Sequence, residues 1–295
     1  MQISLIGVPF DLDELRVGKG RAPEALVEAG LLDMLHQHAD DVSFELLDTA
    51  LPEGDCEERI GVMLARLRDA VAAARAAGRL PVVIGGDCVT AIGTLAGLGK
   101  AYSTAVAWID AHGDFNTPES TLSGYLGGMP LACTVGRGLD GLRVASGLEP
   151  IKERNVVLLG VRDLDEPEKA LLASSEATVI SAMDVIQRAG DIDDARSLLR
   201  SADQLYLHLD IDVLDNTTAP GVDYPAPGGL SADVLHELLK NIAALPNLAA
   251  VALTAVNPER DIDNRTVRAA LAALDVVIWS QKDGVTRGQE DKKTR

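Results

Sequence analysis

Short β-branched apolar runs alternate with longer stretches of helical period along almost the whole chain, which is the pattern of βα units and a parallel sheet. These runs predict strands at Ile3–Val8, Val42–Asp48, Leu80–Gly85, Thr104–Asp110, Asn155–Val161, Ala177–Ser181, Gln204–Asp210 and Leu248–Val256. Their apolar character is continuous rather than alternating, as expected where both faces of a parallel sheet are covered. Helices fill the gaps. The clearest spans Cys56–Ala77, with Ile60, Leu64, Leu67 and Val71 on one stripe and Gly78 just beyond its end, where a left-handed residue closes a helix. The fold class is therefore α/β. No linker, composition shift or internal repeat divides the chain, so residues 1–283 read as a single domain and the polar, aperiodic segment 284–295 as a disordered tail.

Composition narrows the partners. Of 295 residues 47% are apolar, enough for one large packed core. Lysine and arginine total 27 against 45 aspartates and glutamates, a formal net charge of −18. Such acidity argues against nucleic acid or an anionic membrane and suits a cationic small molecule, although most of it serves a soluble surface. No apolar stretch reaches a spanning helix and the first residues lack a basic signal region, so a cytoplasmic protein is expected. Cys56, Cys88 and Cys133 are too few and too scattered for a disulfide framework and are expected to be reduced.

The unusual residues gather at the C-terminal ends of the predicted strands, the edge where open parallel sheets bind ligands. Gly85-Gly86-Asp87-Cys88, Asp110-Ala-His-Gly-Asp-Phe-Asn116, Arg162-Asp-Leu-Asp165, His208-Leu-Asp-Ile-Asp212 and Val256-Asn-Pro258 all fall there. In an extended segment Asp110, His112 and Asp114 share one side, and Asp210 and Asp212 repeat the device from a second strand. Clustered carboxylates raise one another's pKa unless a cation neutralises them, so a metal site is expected. Oxygen ligands with one imidazole suit Mn²⁺, with Fe²⁺, Co²⁺ or Zn²⁺ as alternatives, and this many donors can hold two ions. Alone, Asp110 would read as a helix cap and His112 as a loop histidine; together they do not. The Gly85-Gly86 pair lacks the company of a dinucleotide fingerprint and is expected to let backbone approach the metal site. His208 is expected to pack at a strand end or orient a ligand carboxylate. His36, His38 and His236, without acidic partners at metal spacing, read as surface residues.

At these motifs the sequence resembles the arginase (ureohydrolase) family, from GVPFD and the Gly18-to-Pro23 segment to the VNP near residue 258. The resemblance implies a three-layer αβα fold with an eight-stranded, mostly parallel sheet, assembly as trimers or hexamers, and a binuclear manganese cluster. It implies Asp110, His112, Asp114, Asp210 and Asp212 as metal ligands, with Asp114 and Asp210 bridging and Asp114 passing a proton to the leaving amine. It also implies that Asn116, Thr121 and Ser123 bind the α-carboxylate of an amino-acid substrate and that Asp165 holds its α-amine.

The family pattern is broken at three places. Cys88 stands where a histidine ligand is usual, and it is either a soft ligand that holds one ion weakly or a buried hydrophobe. Gly127 stands where arginases carry a proton-transfer histidine. Ala255 stands where many members carry a glutamate for the guanidinium, a charge-assisted contact. The cysteine, the GDFNTPE and GYLGGM strings, His208 and the Asp223-Tyr224 pair are similar to the hydroxyarginine amidinohydrolases of cycloserine biosynthesis, which release hydroxyurea and ornithine. The expected reaction is therefore hydrolysis of a C–N bond in a guanidino or N-hydroxyguanidino α-amino acid, giving ornithine and urea or hydroxyurea. The alternatives are an agmatine, guanidinobutyrate or formiminoglutamate hydrolase, a degenerate member without turnover, and a single-metal amide hydrolase.

Overall fold

The computed structural model describes the backbone of residues 1–293 and the side chains through Gly284. The strands are β1 (Gln2–Val8), β2 (Phe10–Asp11), β3 (Glu14–Leu15), β4 (Asp41–Leu46), β5 (Leu80–Gly85), β6 (Thr104–Ile109), β7 (Val156–Val161), β8 (Thr178–Ser181), β9 (Gln204–Asp210) and β10 (Leu248–Thr254). Strands β2 and β3 form a short antiparallel hairpin that the sequence pattern does not signal. The other eight form one sheet in the order β4-β1-β5-β10-β9-β6-β7-β8. Every pairing in it is parallel, and each of its strands lies within two residues of its predicted position.

Alternate side chains of these strands enter two separate cores. On one face Ile3, Leu5, Val82, Ala107 and Leu207 pack with residues of the helices Leu31–His38, Ala232–Ala243 and Arg265–Lys293. On the other, Ile6, Val83, Trp108, Leu158 and Tyr206 pack with the helices Cys56–Ala76 and Thr90–Leu98. Two apolar faces explain the continuous apolar runs, and the result is the three-layer αβα arrangement. The helix Cys56–Ala76 starts with a complete capping box between Asp55 and Glu58, buries Ile60, Leu64, Leu67 and Val71, and is followed by Gly78 at φ +70°. The last helix runs on to Lys293, into the segment read as a tail, and side chains from 285 onward lie outside the described residues. No described helix is long and apolar enough to cross a membrane, and the three cysteines are free.

The strand order decides where the chemistry sits. Central neighbours β5, β10, β9 and β6 lead at their C-terminal ends into Asp87-Cys88, Ala255, Asp210 and Asp110. Ile109 pairs with Leu209, so Asp110 and Asp210 leave adjacent strands side by side. Gly86 permits a close backbone approach: a Cβ there would lie 2.2 Å from the Phe10 carbonyl oxygen. Glycine thus admits the segment after β1, which carries Lys19 to the wall of the cavity that the predicted metal residues line.

Candidate functional site

The two acidic motifs converge by a device that the extended-strand expectation missed. The Asp110 carboxylate accepts the His112 backbone N–H at 2.7 Å, and the Asp210 carboxylate accepts that of Asp212 at 2.8 Å. Both D-x-[HD] pairs are therefore Asx turns, in which a short carboxylate folds the backbone back two residues on. Asp212 lies in the short helical turn Ile211–Val213, and Asp114 sits at φ +47°. Turns, not a pleat, aim these side chains at one another. Asp87 repeats the device with the Val89 N–H at 3.1 Å.

His112 Nδ1 bridges the cluster, 3.0 Å from Asp212 Oδ2 and 3.4 Å from Asp110 Oδ1. Asp110 also accepts from the Trp108 indole N–H at 3.1 Å, and Asp212 from the Ala111 N–H at 3.2 Å. One donor atom from each of Asp110, His112 and Asp212 lies within 4.8 Å of the others, and Cys88, Asp110 and His208 form a second such group. Burial and then Asp210 raise the Asp110 pKa; burial and then Asp110 raise those of Asp212 and, strongly, Asp114; Asp210 is raised strongly by burial and then by Asp212. Burial works against a charged His112, but hydrogen bonds to Asp110 and Asp212 outweigh it and hold its pKa up to about 12. Asp114 Oδ2 is buried with no hydrogen-bond partner. A buried carboxylate oxygen left bare among other carboxylates fits a divalent cation, for which these hard donors are suited.

Cys88 is a buried thiol here, donating to Asp210 Oδ2 at 3.0 Å and touching Thr254 Oγ1 at 3.3 Å. Burial and then Asp210 push its pKa well above the usual thiol value. It thus belongs to the apolar core and also donates to a predicted ligand. His208 is fully buried, stacked on Trp108 at 3.7 Å between centroids, with Nδ1 2.9 Å from the Tyr206 hydroxyl. It packs at the strand end and forms no hydrogen bond to a ligand carboxylate among the described residues. Burial holds its pKa down at about 3.

A cavity of about 530 Å³ opens over the cluster. Cys88, His112, Asp114, Asp210 and Asp212 form its floor, and Asn116, Thr121, Ser123 and Asp165 also line it. Asp110, 1% exposed, stands behind. Asn116 Oδ1 accepts from the Ser120 hydroxyl at 2.8 Å, which leaves its amide N–H groups for another acceptor. Thr121 and Ser123 accept the N–H groups of Gly124 and Tyr125, and so hold the loop in shape. Gly127 and Ala255 line the cavity as well, Ala255 at φ +65°.

Several lining residues escaped the sequence reading. Glu168, from DEPEK, accepts the Phe115 N–H at 2.8 Å; burial lifts its pKa to about 7 against that hydrogen bond. Lys19, Asp87 and Tyr125 form a buried polar group on another wall. A charged helix end and a lysine between glycines read as solvated by default, and only burial in the fold singles them out. His38 has no acidic partner at metal spacing, but it has a distant one: its Nε2 is 2.7 Å from Asp275 Oδ1, on the last helix 237 residues away in sequence. That pairing depends on helix packing and has no local signal.

The Arginase family model matches residues 1–278. The arginase of Bacillus caldovelox is 37% identical over 288 residues, covering 92% of this chain and 96% of that protein. The crystal structure of an arginase from Bacillus cereus superposes with a TM-score of 0.88 at 34% identity, covering 94% of this chain and 98% of that one. Entamoeba histolytica arginase, solved with L-ornithine, gives 0.86 at 26% identity, covering 94% and 97%. Sequence and fold agree over nearly the full length of both partners in each comparison, so the chain belongs to the arginase family, the hydrolases that act on C–N bonds of linear amidines.

Proposed function

We propose that the chain hydrolyses a C–N bond of a guanidino or N-hydroxyguanidino α-amino acid, releasing ornithine and urea or hydroxyurea, with two Mn²⁺ ions held by Asp110, His112, Asp114, Asp210 and Asp212. The observation that carries this is the bare, buried Asp114 Oδ2 facing the cavity beside three further buried carboxylates. Bound there, the ions supply Lewis acidity for activating water and polarising the reacting carbon. Cys88 would hold an ion only weakly, because its thiol must first give up a proton that the pocket holds tightly.

The chain's own groups divide the remaining work. Asp114 would take the proton given up by the attacking water and return it to the leaving amine. The free amide N–H groups of Asn116, with the Thr121 and Ser123 hydroxyls, receive the substrate α-carboxylate, and Asp165 pairs with the α-amine. The buried floor keeps bulk water away from the reacting centre. Trimeric or hexameric assembly and a cytoplasmic location belong to the same proposal and rest on family membership; light scattering on purified protein checks the assembly.

A second reading draws on Ala255, which places no side-chain charge on its part of the wall. An agmatine, guanidinobutyrate or formiminoglutamate hydrolase would tolerate that. The donors of Asn116, Thr121 and Ser123 favour the first reading over agmatine, which has no carboxylate to pair with them. The deciding measurement is ornithine release from hydroxyarginine and arginine by Mn²⁺-loaded protein, beside turnover of agmatine, guanidinobutyrate and formiminoglutamate. Turnover of agmatine or guanidinobutyrate alone overturns the α-amino-acid assignment, turnover of formiminoglutamate alone overturns the guanidino one, and turnover of none by metal-replete protein overturns the activity.

A further inference from the structure

Arg162, the first residue beyond β7, is half-buried among acidic groups, yet all of its side-chain hydrogen bonds among the described residues go to backbone carbonyls. Nη2 donates to the carbonyls of Asp212 at 2.7 Å, Ala226 at 3.1 Å and Leu214 at 3.3 Å. Nη1 donates to those of Val213 at 3.1 Å and Gly160 at 3.4 Å, and Nε to that of Pro227 at 3.2 Å. Only a planar guanidinium, with five donors in a fixed fork, can gather carbonyls from two separate segments in this way. One segment is the turn after β9 that carries Asp212. The other directly follows residues 223–225, which line the cavity.

The backbone of the same residue holds the other acidic motif. The N–H groups of Arg162 and Asp163 donate to the Ala111 carbonyl, between Asp110 and His112, at 2.8 and 3.0 Å. Gly160 makes this approach possible. At φ +93° it interrupts the β7–β8 register between Leu159 and Val161, and a Cβ there would lie 2.5 Å from Val213 Cγ2 and 3.3 Å from the Asp110 carbonyl oxygen. Such a bulge re-aims the residues that follow it and lets two turns close on the strand end. Asp212 is thereby held twice: its carboxylate accepts the Ala111 N–H at 3.2 Å, and its own carbonyl accepts from Arg162.

We infer that Arg162 is a positioning residue: its fork of donors and its backbone N–H tie the turns at 110–114 and 210–214 and the segment 226–227 into one unit, which aims the Asp212 carboxylate at the metal cluster. The metal half rests on the function proposed above, whereas the tie between the segments does not. The test compares the parent with Arg162→Lys and Arg162→Met in two ways. Calorimetric titration with MnCl₂ is run at a temperature where melting curves show every protein fully folded, and amide hydrogen exchange is followed in the metal-free proteins. Lysine keeps the charge but not the fork, so both substitutions should raise the Mn²⁺ dissociation constant about tenfold to a hundredfold, as loss of a group that orients a ligand does. A residue that only adds stability would leave the affinity of a fully folded protein unchanged. Exchange should quicken about tenfold at the N–H groups of Ala111, Asp212, Asp215 and Leu230, which bond across these turns, and keep parental rates in β1 and β5. Parental affinity in Arg162→Lys overturns the fork, and parental affinity in both variants overturns the positioning of Asp212. Parental exchange at those four groups, or equally faster exchange in β1 and β5, overturns the tie. A parent that binds no Mn²⁺ overturns the proposed function together with the metal half, and the exchange rates still decide the tie.

Discussion

Metal binding at this site should release protons, and the amount can be worked from His112. Its Nδ1 lies 3.0 Å from Asp212 and 3.4 Å from Asp110, while donor oxygens of those two carboxylates lie within 4.8 Å of each other. At an effective dielectric constant near 20, the two attractions to an imidazolium are worth about 5 kcal/mol each, about 10 kcal/mol together, against a repulsion between the carboxylates of about 3.5 kcal/mol or more. Attraction wins, and His112 keeps its proton up to about 12 in the metal-free protein. Because its pKa is raised on folding, His112 stabilises the metal-free fold fully below the unfolded value near 6.5, and that contribution is lost as pH rises through about 12. A metal ion that takes Nδ1 must first displace the proton. Displacing one proton makes affinity rise about tenfold per pH unit, or about 2.7 kcal/mol between pH 6 and 8. Calorimetric titration with MnCl₂ in two buffers of different ionisation heat counts the protons directly, and the same titration at several pH values gives the slope. His112→Asn should reduce the count by one. A flat affinity from pH 6 to 8 with no proton released would refute the ligand role of His112.

The other predictions concern neighbouring residues. Cys88→His replaces a thiol that resists deprotonation with a harder donor and should raise Mn²⁺ content towards two ions per chain; unchanged occupancy in elemental analysis would place Cys88 in the core alone. Ala255→Glu should improve kcat/KM for arginine more than for hydroxyarginine, by about tenfold to a hundredfold for a charged hydrogen bond of roughly 1.5–3 kcal/mol, and an equal gain for both substrates counts against the guanidinium reading. His208, held near 3, stays neutral while the unfolded chain takes up a proton below about 6.5, so stability falls as pH drops from 6 to 3 by on the order of 1 kcal/mol per unit. Urea denaturation of His208→Phe should show a correspondingly shallower acid slope than the parent; identical slopes would mean that His208 is protonated in the fold.

The sheet was legible in the sequence because its signal is local. A strand covered on both faces must be apolar at consecutive positions, and six such runs between two more exposed edge strands, all separated by helical periods, leave few alternatives to a three-layer parallel fold. The carboxylate motifs were legible for a similar reason, since Asp110, His112, Asp210 and Asp212 carry their turn-forming chemistry within three residues. What the local signal misjudged was the means: a carboxylate capping its own backbone brings i and i+2 together, and no pleat is needed.

Other features were decided only when strands distant in sequence became neighbours. Asp110 meets Asp210 because β6 lies against β9, and Lys19 reaches Asp87 because Gly86 lets the Phe10 backbone come close. Burial then separates residues that look alike on paper. The same carboxyl group is an ordinary surface charge on an exposed helix but is pushed up to about 7 at Glu168, and the same imidazole is held near 3 at His208 and near 12 at His112. Sequence determines which groups are present and which local turns they form. Their charge state and partners depend on desolvation and on charges brought in from elsewhere in the chain, and those exist only in the folded structure.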